Sequence, residues 1–202
     1  MNKKWLSSLA LDVEGRHGKE AMDKIFGDFR NVPNDRAAVK EWFNNFTCRM
    51  DELGDKDFLQ QMMANHCPCG GGDAKNGKAM REFYDNSKTL EEFVDSFRAW
   101  LHKKYRGDID NMELNGNVLY MTKPLKKNRI AGILGKGCHC ALAKHTDNAI
   151  SNIFCHCCTI GHTGKMFKAA FGDDIKMEFI ESVICGGKGC TMAIYLPEMK
   201  GD

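Results

Sequence analysis

Apolar residues along the first half of the chain recur every three or four positions. From Val39 the series Trp42, Phe43, Phe46, Met50 and Leu53 lines one side of a helix, with Asp35 after Pro33 as N-cap and Gly54 as the stop. A shorter helical segment carries Phe58, Leu59, Met62 and Met63 and runs into Cys67-Pro-Cys69. Thr89 and Glu92 have capping-box spacing, and Leu90, Phe93, Phe97, Trp100 and Leu101 then form one stripe that ends in Lys103 and Lys104. These aromatic stripes predict a packed core.

The pattern changes after Gly107. Met112 to Met121 reads as a hairpin turning at Asn115-Gly116. A short helix with Met166, Phe167, Ala170 and Phe171 ends at Gly172. Two closing strands are expected, Ile175 to Cys185 and Cys190 to Leu196, joined by Gly186-Gly-Lys-Gly189. A four-residue turn would set Cys185 opposite Cys190, Val183 opposite Met192, Glu181 opposite Ile194 and Phe179 opposite Leu196. The expected fold is therefore α+β in a single domain, 1–202. Residues 1–106 form a mainly helical half. Residues 107–202 form a cysteine-rich half of antiparallel sheet with packed helices.

Charge adds little: 29 basic against 27 acidic residues leave no field that calls for nucleic acid or an anionic membrane. The run from Trp5 to Leu11 is too short for a signal-peptide core, and no apolar run approaches the ~20 residues of a membrane span. A cytoplasmic location is expected, in which thiols stay reduced.

Against that background the ten cysteines matter most. In extended chain, residues two apart point the same way, so Cys138-His-Cys140 and Cys155-His-Cys157 could each offer two thiolates to one tetrahedral zinc, or to iron. A possible helix from about Ala143 to Ser151 separates the pairs. Cys67 and Cys69, beside His66, could replace one pair, and His139 and His156 are further candidate ligands. Cys157 and Cys158 lie just before the helix that begins near His162 or Thr163. A helix N-terminus depresses a thiol pKa, which makes Cys158 a candidate reactive thiol with His162 assisting. Cys67, Cys69, Cys185 and Cys190 are the other candidate ligand-binding or reactive thiols. In the register above, Glu181 is one carboxylate on an apolar, sulfur-rich face, where burial would raise its pKa and mark a site. The competing expectation is that several of these cysteines are simply small buried hydrophobes.

The segment from Cys155 to Leu196 resembles the small-molecule-binding domain named after four-vinyl reductase, and the related L-2-amino-thiazoline-4-carboxylic acid hydrolase-like group. Cys155-His-Cys157, Gly161, the Met166-Phe167 helix ending at Gly172, Glu181, Cys185, Gly186-Gly187 and Cys190 carry the resemblance. It implies an antiparallel sheet with helices packed against it and a hydrophobic ligand cavity, in some members with cysteine-bound zinc. The expected function is binding of a small hydrophobic molecule together with a metal ion. The alternatives are a metal-assisted hydrolase, in which Glu181 or His162 moves protons, and a structural zinc module closed by four thiolates.

Overall fold

The computed structural model describes residues 2–32, 35–67, 74–105, 111–123, 140, 142, 145–146 and 150–199. Cys69, Cys138 and His139 lie outside these residues, as does most of the helix expected from about Ala143 to Ser151. Of that segment, Ile150 and Ser151 are not helical.

Five helices fill the first half: α1 Lys3–Phe26, α2 Arg36–Glu52, α3 Lys56–Asn65, α4 Ala74–Asp85 and α5 Leu90–Tyr105. The starts of α1, α2, α3 and α5 are set by side-chain oxygens that accept otherwise unpartnered backbone N–H groups. The Asp35 carboxylate accepts from Ala38 N at 2.8 Å, and Asp55 accepts from Phe58 N at 3.3 Å. The capping box opens α5: Thr89 Oγ1 accepts from Glu92 N, and the Glu92 carboxylate reaches back to Lys88 N at 2.8 Å. Two helices have no clean stripe in the sequence. Gly18, at φ 83°, interrupts α1. Gly77 sits inside α4, where a Cβ would run into Ala169 and the Met166 carbonyl, so this interior glycine is what lets α4 lie close against the later helix α6, Gly164–Phe171.

Four strands follow, β1 Asn111–Asn115, β2 Val118–Lys123, β3 Met177–Glu181 and β4 Cys190–Tyr195, in the antiparallel order β1-β2-β4-β3. Asn115 pairs with Val118, so the first hairpin turns on Gly116-Asn117, one residue later than expected, with Gly116 at φ 59°. The expected α+β fold is present.

The register of the last hairpin differs from the sequence expectation. Met177 pairs with Ile194, Phe179 with Met192 and Glu181 with Thr191, with an irregularity between Phe179 and Glu181. Strand β3 stops at Glu181, and Val183–Cys185 forms a 3-10 turn. The reason lies in packing: Val183 and Ile184, adjacent and both fully buried, join the apolar cluster of the first three helices. The turn places them there and satisfies its own backbone, with Cys185 N and Gly187 N both donating to the Ser182 carbonyl. Cys185 therefore does not sit across a ladder from Cys190.

The apolar residues divide into two clusters. One joins α1, α2 and α3 to Ile153, Phe154, Val183 and Ile184, and it contains Cys140, Cys155, Cys157 and Cys190. The other packs α4, α5 and α6 on a sheet face made of Met112, Leu119, Met121, Met192 and Ile194. Among the described residues, no helix is long and apolar enough to cross a membrane.

Candidate functional site

A continuous helical run positions Cys155, Cys157 and Cys158. Asn152–Cys155 is a 3-10 turn, Cys157–Thr163 is a wide π-type turn, and α6 continues from Gly164. The Gly161 N–H donates to the His156 carbonyl at 2.7 Å, five residues back, which is the π-type spacing. Gly161 is required there because a Cβ would collide with the backbone of Ala64 in α3. This backbone overturns the extended geometry expected for Cys155-His-Cys157. On a helix, residues two apart differ by about 200° around the axis, so these thiols do not converge as a pair. Nor do Cys157 and Cys158 precede the helical run; they open its wide turn.

Cys155 meets a different partner. Its Sγ lies 3.6 Å from Cys185 Sγ and 2.8 Å from Ser182 Oγ, and the Ser182 hydroxyl donates to Cys185 Sγ at 3.0 Å. A hydroxyl has one proton to give. With Ser182 donating to Cys185, the remaining proton is that of Cys155, which faces both Ser182 Oγ and Cys185 Sγ. The electrostatics agree with this direction. The hydrogen bond with Cys185 and burial push the Cys155 thiol well above its ordinary value, and nearby Cys140 adds to the effect. The hydrogen bond from Cys155 holds Cys185 below its ordinary value, against the opposing effect of its own burial and with further help from Ser182. Negative charge in the pair thus belongs on Cys185.

The two thiols differ in access as well. Cys155 is 4% exposed, whereas Cys185 is half-buried and lines an open cleft of about 530 Å³. Asp51, Lys56, Leu59, Ser151, Asn152 and Ile153 form much of the remaining wall. Of the other expected thiols, Cys140 and Cys190 are buried nearby: Cys140 raises the Cys155 pKa and Cys190 opposes the lowering at Cys185. The Cys140 sulfur accepts Leu142 N at 3.4 Å.

The remaining candidates are distributed around this cluster. Cys67, at the end of α3, has its Sγ 3.8 Å from His162 Nδ1. Its neighbour His66 is engaged by Asp12, at 2.8 Å. The Lys123 ammonium donates to the Cys158 carbonyl at 2.6 Å and to its sulfur at 3.3 Å. His156 packs its ring against Phe179, and burial, with a contribution from Lys56, lowers its pKa to about 4. Glu181 is half-buried opposite Thr191, not Ile194, and its carboxylate accepts the Lys188 N–H at 3.1 Å. That contact ties down the β3–β4 loop. Among the described residues, no three His, Cys, Asp or Glu side chains gather as a metal-binding group. Ser182, which bridges the thiol pair, carries no signal in the sequence.

The chain matches no protein-family model, no curated protein and no solved structure.

Proposed function

We propose that this chain is a cytoplasmic binding protein that takes a small molecule into the Cys185 cleft and a soft metal ion, zinc before iron, at the adjoining thiols. The observation that carries the metal is the 3.6 Å separation of Cys155 and Cys185. Tetrahedral zinc with bonds of about 2.3 Å holds its sulfur ligands roughly 3.8 Å apart, so the pair already has the spacing of two ligands. Cys140 is the nearest candidate for a third. The four-vinyl-reductase-type likeness of Cys155 to Leu196 belongs to the same proposal. The cleft wall modifies it: Leu59, Ile150 and Ile153 share the lining with Asp51, Lys56, Ser151 and Asn152, which suits an amphipathic molecule better than a purely hydrophobic one.

Binding is favoured over hydrolysis because the expected proton carriers are engaged elsewhere, Glu181 on Lys188 N and His162 beside Cys67. Zinc competition on the reduced chain, with a chromophoric chelator, tests the reading. About one equivalent is expected to bind, and Cys155→Ser and Cys185→Ser should each weaken it. Reduced protein that binds no zinc and keeps every thiol titratable would overturn it.

A further inference from the structure

We propose that Cys155 and Cys185 form a thiol–disulfide exchange couple that reduces low-molecular-weight disulfides entering the cleft. Both sulfurs are within one side-chain adjustment of bonding. Their 3.6 Å separation must close by about 1.5 Å to reach the disulfide length of roughly 2.05 Å. Their unequal access fixes the order of events. Cys185 faces the cleft and meets the incoming disulfide, and Cys155 lies buried behind it, its sulfur 3.6 Å from Cys185 Sγ.

The steps balance. Cys185 Sγ, as thiolate, attacks one sulfur of the disulfide R–S–S–R. The S–S bond breaks, a mixed disulfide Cys185–S–S–R forms, and the departing RS⁻ takes up the proton that Cys185 released. Cys155 Sγ then attacks Cys185 Sγ and expels the second RS⁻, which receives the Cys155 proton. The sum converts two protein thiols and R–S–S–R into one Cys155–Cys185 disulfide and two R–SH, so the protein is oxidised and the small disulfide reduced. Ser182 serves both steps from one position. Its hydroxyl donates to Cys185 at 3.0 Å and contacts Cys155 at 2.8 Å, stabilising the attacking sulfur first and afterwards relaying the Cys155 proton, by giving up its own as it takes that one, towards the departing RS⁻. Ser182 contacts both reacting sulfurs, so it counts as a catalytic residue in this scheme.

The couple does not depend on the metal. A disulfide would withdraw both sulfurs from any ion they held, so the two proposals are tested apart. Full-length protein is reduced, freed of metal with chelator and treated with glutathione disulfide. Intact mass should fall by two hydrogens, and peptide mapping should join Cys155 to Cys185. Cys155→Ser should accumulate a mixed disulfide on Cys185. Cys185→Ser should slow thiol loss at this site by about tenfold or more, and Ser182→Ala should slow wild-type exchange by roughly tenfold, the effect of losing a hydrogen bond to a charged group. Mapping on the unmutated chain needs no variant to fold. Links confined to other cysteines, or a Cys185 that stays reduced while others are thiolated, would overturn the proposal. Zinc binding without the link sinks only this inference, and the link without zinc binding sinks only the metal.

Discussion

Replacing Gly161 with alanine sets two effects of opposite sign against each other. In an exposed helix interior, Gly→Ala gains up to about 1 kcal/mol by reducing backbone entropy in the unfolded chain. At Gly161 the new Cβ would stand 2.9 Å from both the carbonyl carbon and the Cα of Ala64, and closer still to the carbonyl oxygen, where ordinary contact begins at 3.4 Å. The obstacle is backbone, so no rotamer change relieves it, and α3 must move by roughly half an ångström or more. Overpacking of this kind costs about 1–3 kcal/mol, more where the backbone must yield. The net expectation is a loss of about 2 kcal/mol, or about 1 M in urea midpoint at a typical slope. Gly15 in α1 supplies the control: a Cβ there meets nothing within 4 Å, and Gly15→Ala should stabilise by up to about 1 kcal/mol. Urea unfolding followed by circular dichroism measures both. A Gly161→Ala protein as stable as the parent would refute the close approach of α3 to the wide turn.

Three further outcomes are expected. The His156 pKa falls from 6.5 to about 4 on folding; a depressed folded value means that stability present above pH 6.5 is lost as pH drops towards 4, and His156→Gln should flatten that stretch of the pH–stability curve. In chelated protein, the alkylation rate of Cys185 should titrate with a midpoint below 9.0, and Ser182→Ala should move it upward; a midpoint unchanged by the substitution would remove the serine from the hydrogen-bonded chain. Thr89→Ala removes the acceptor for Glu92 N and should cost about 1 kcal/mol in thermal or urea unfolding.

What could be read from the sequence follows from distance along the chain. The caps at Asp35 and at Thr89 with Glu92 act within four residues, and the stripes of α2, α3 and α5 repeat locally, so pattern alone locates them. Helix α4 escapes notice because Gly77 looks like a breaker until Ala169 is brought against it. The last hairpin fails for a similar reason. Alternation extended through Val183 and Ile184 suggests strand, whereas both side chains pack into the helical cluster from a turn. The candidate thiols were recognisable as a class, but their pairing was not. Cys155 lies beside its sequence neighbour Cys157 in name only, and its partner Cys185 comes from thirty residues further on, delivered by a turn that no local signal announces.

The wide turn at Cys157–Thr163 has one more consequence. A π-type turn is an α-helix carrying one additional residue, and one residue corresponds to about 100° of rotation. The wide turn takes up that residue within itself, and α6 continues from it along a single unbroken run. Cys157 faces the helical cluster that holds the thiols, while Met166 and Phe167 face the sheet-backed cluster. Deleting one residue would narrow the turn to ordinary helical spacing and remove the widened wall on which Gly161 meets the backbone of Ala64.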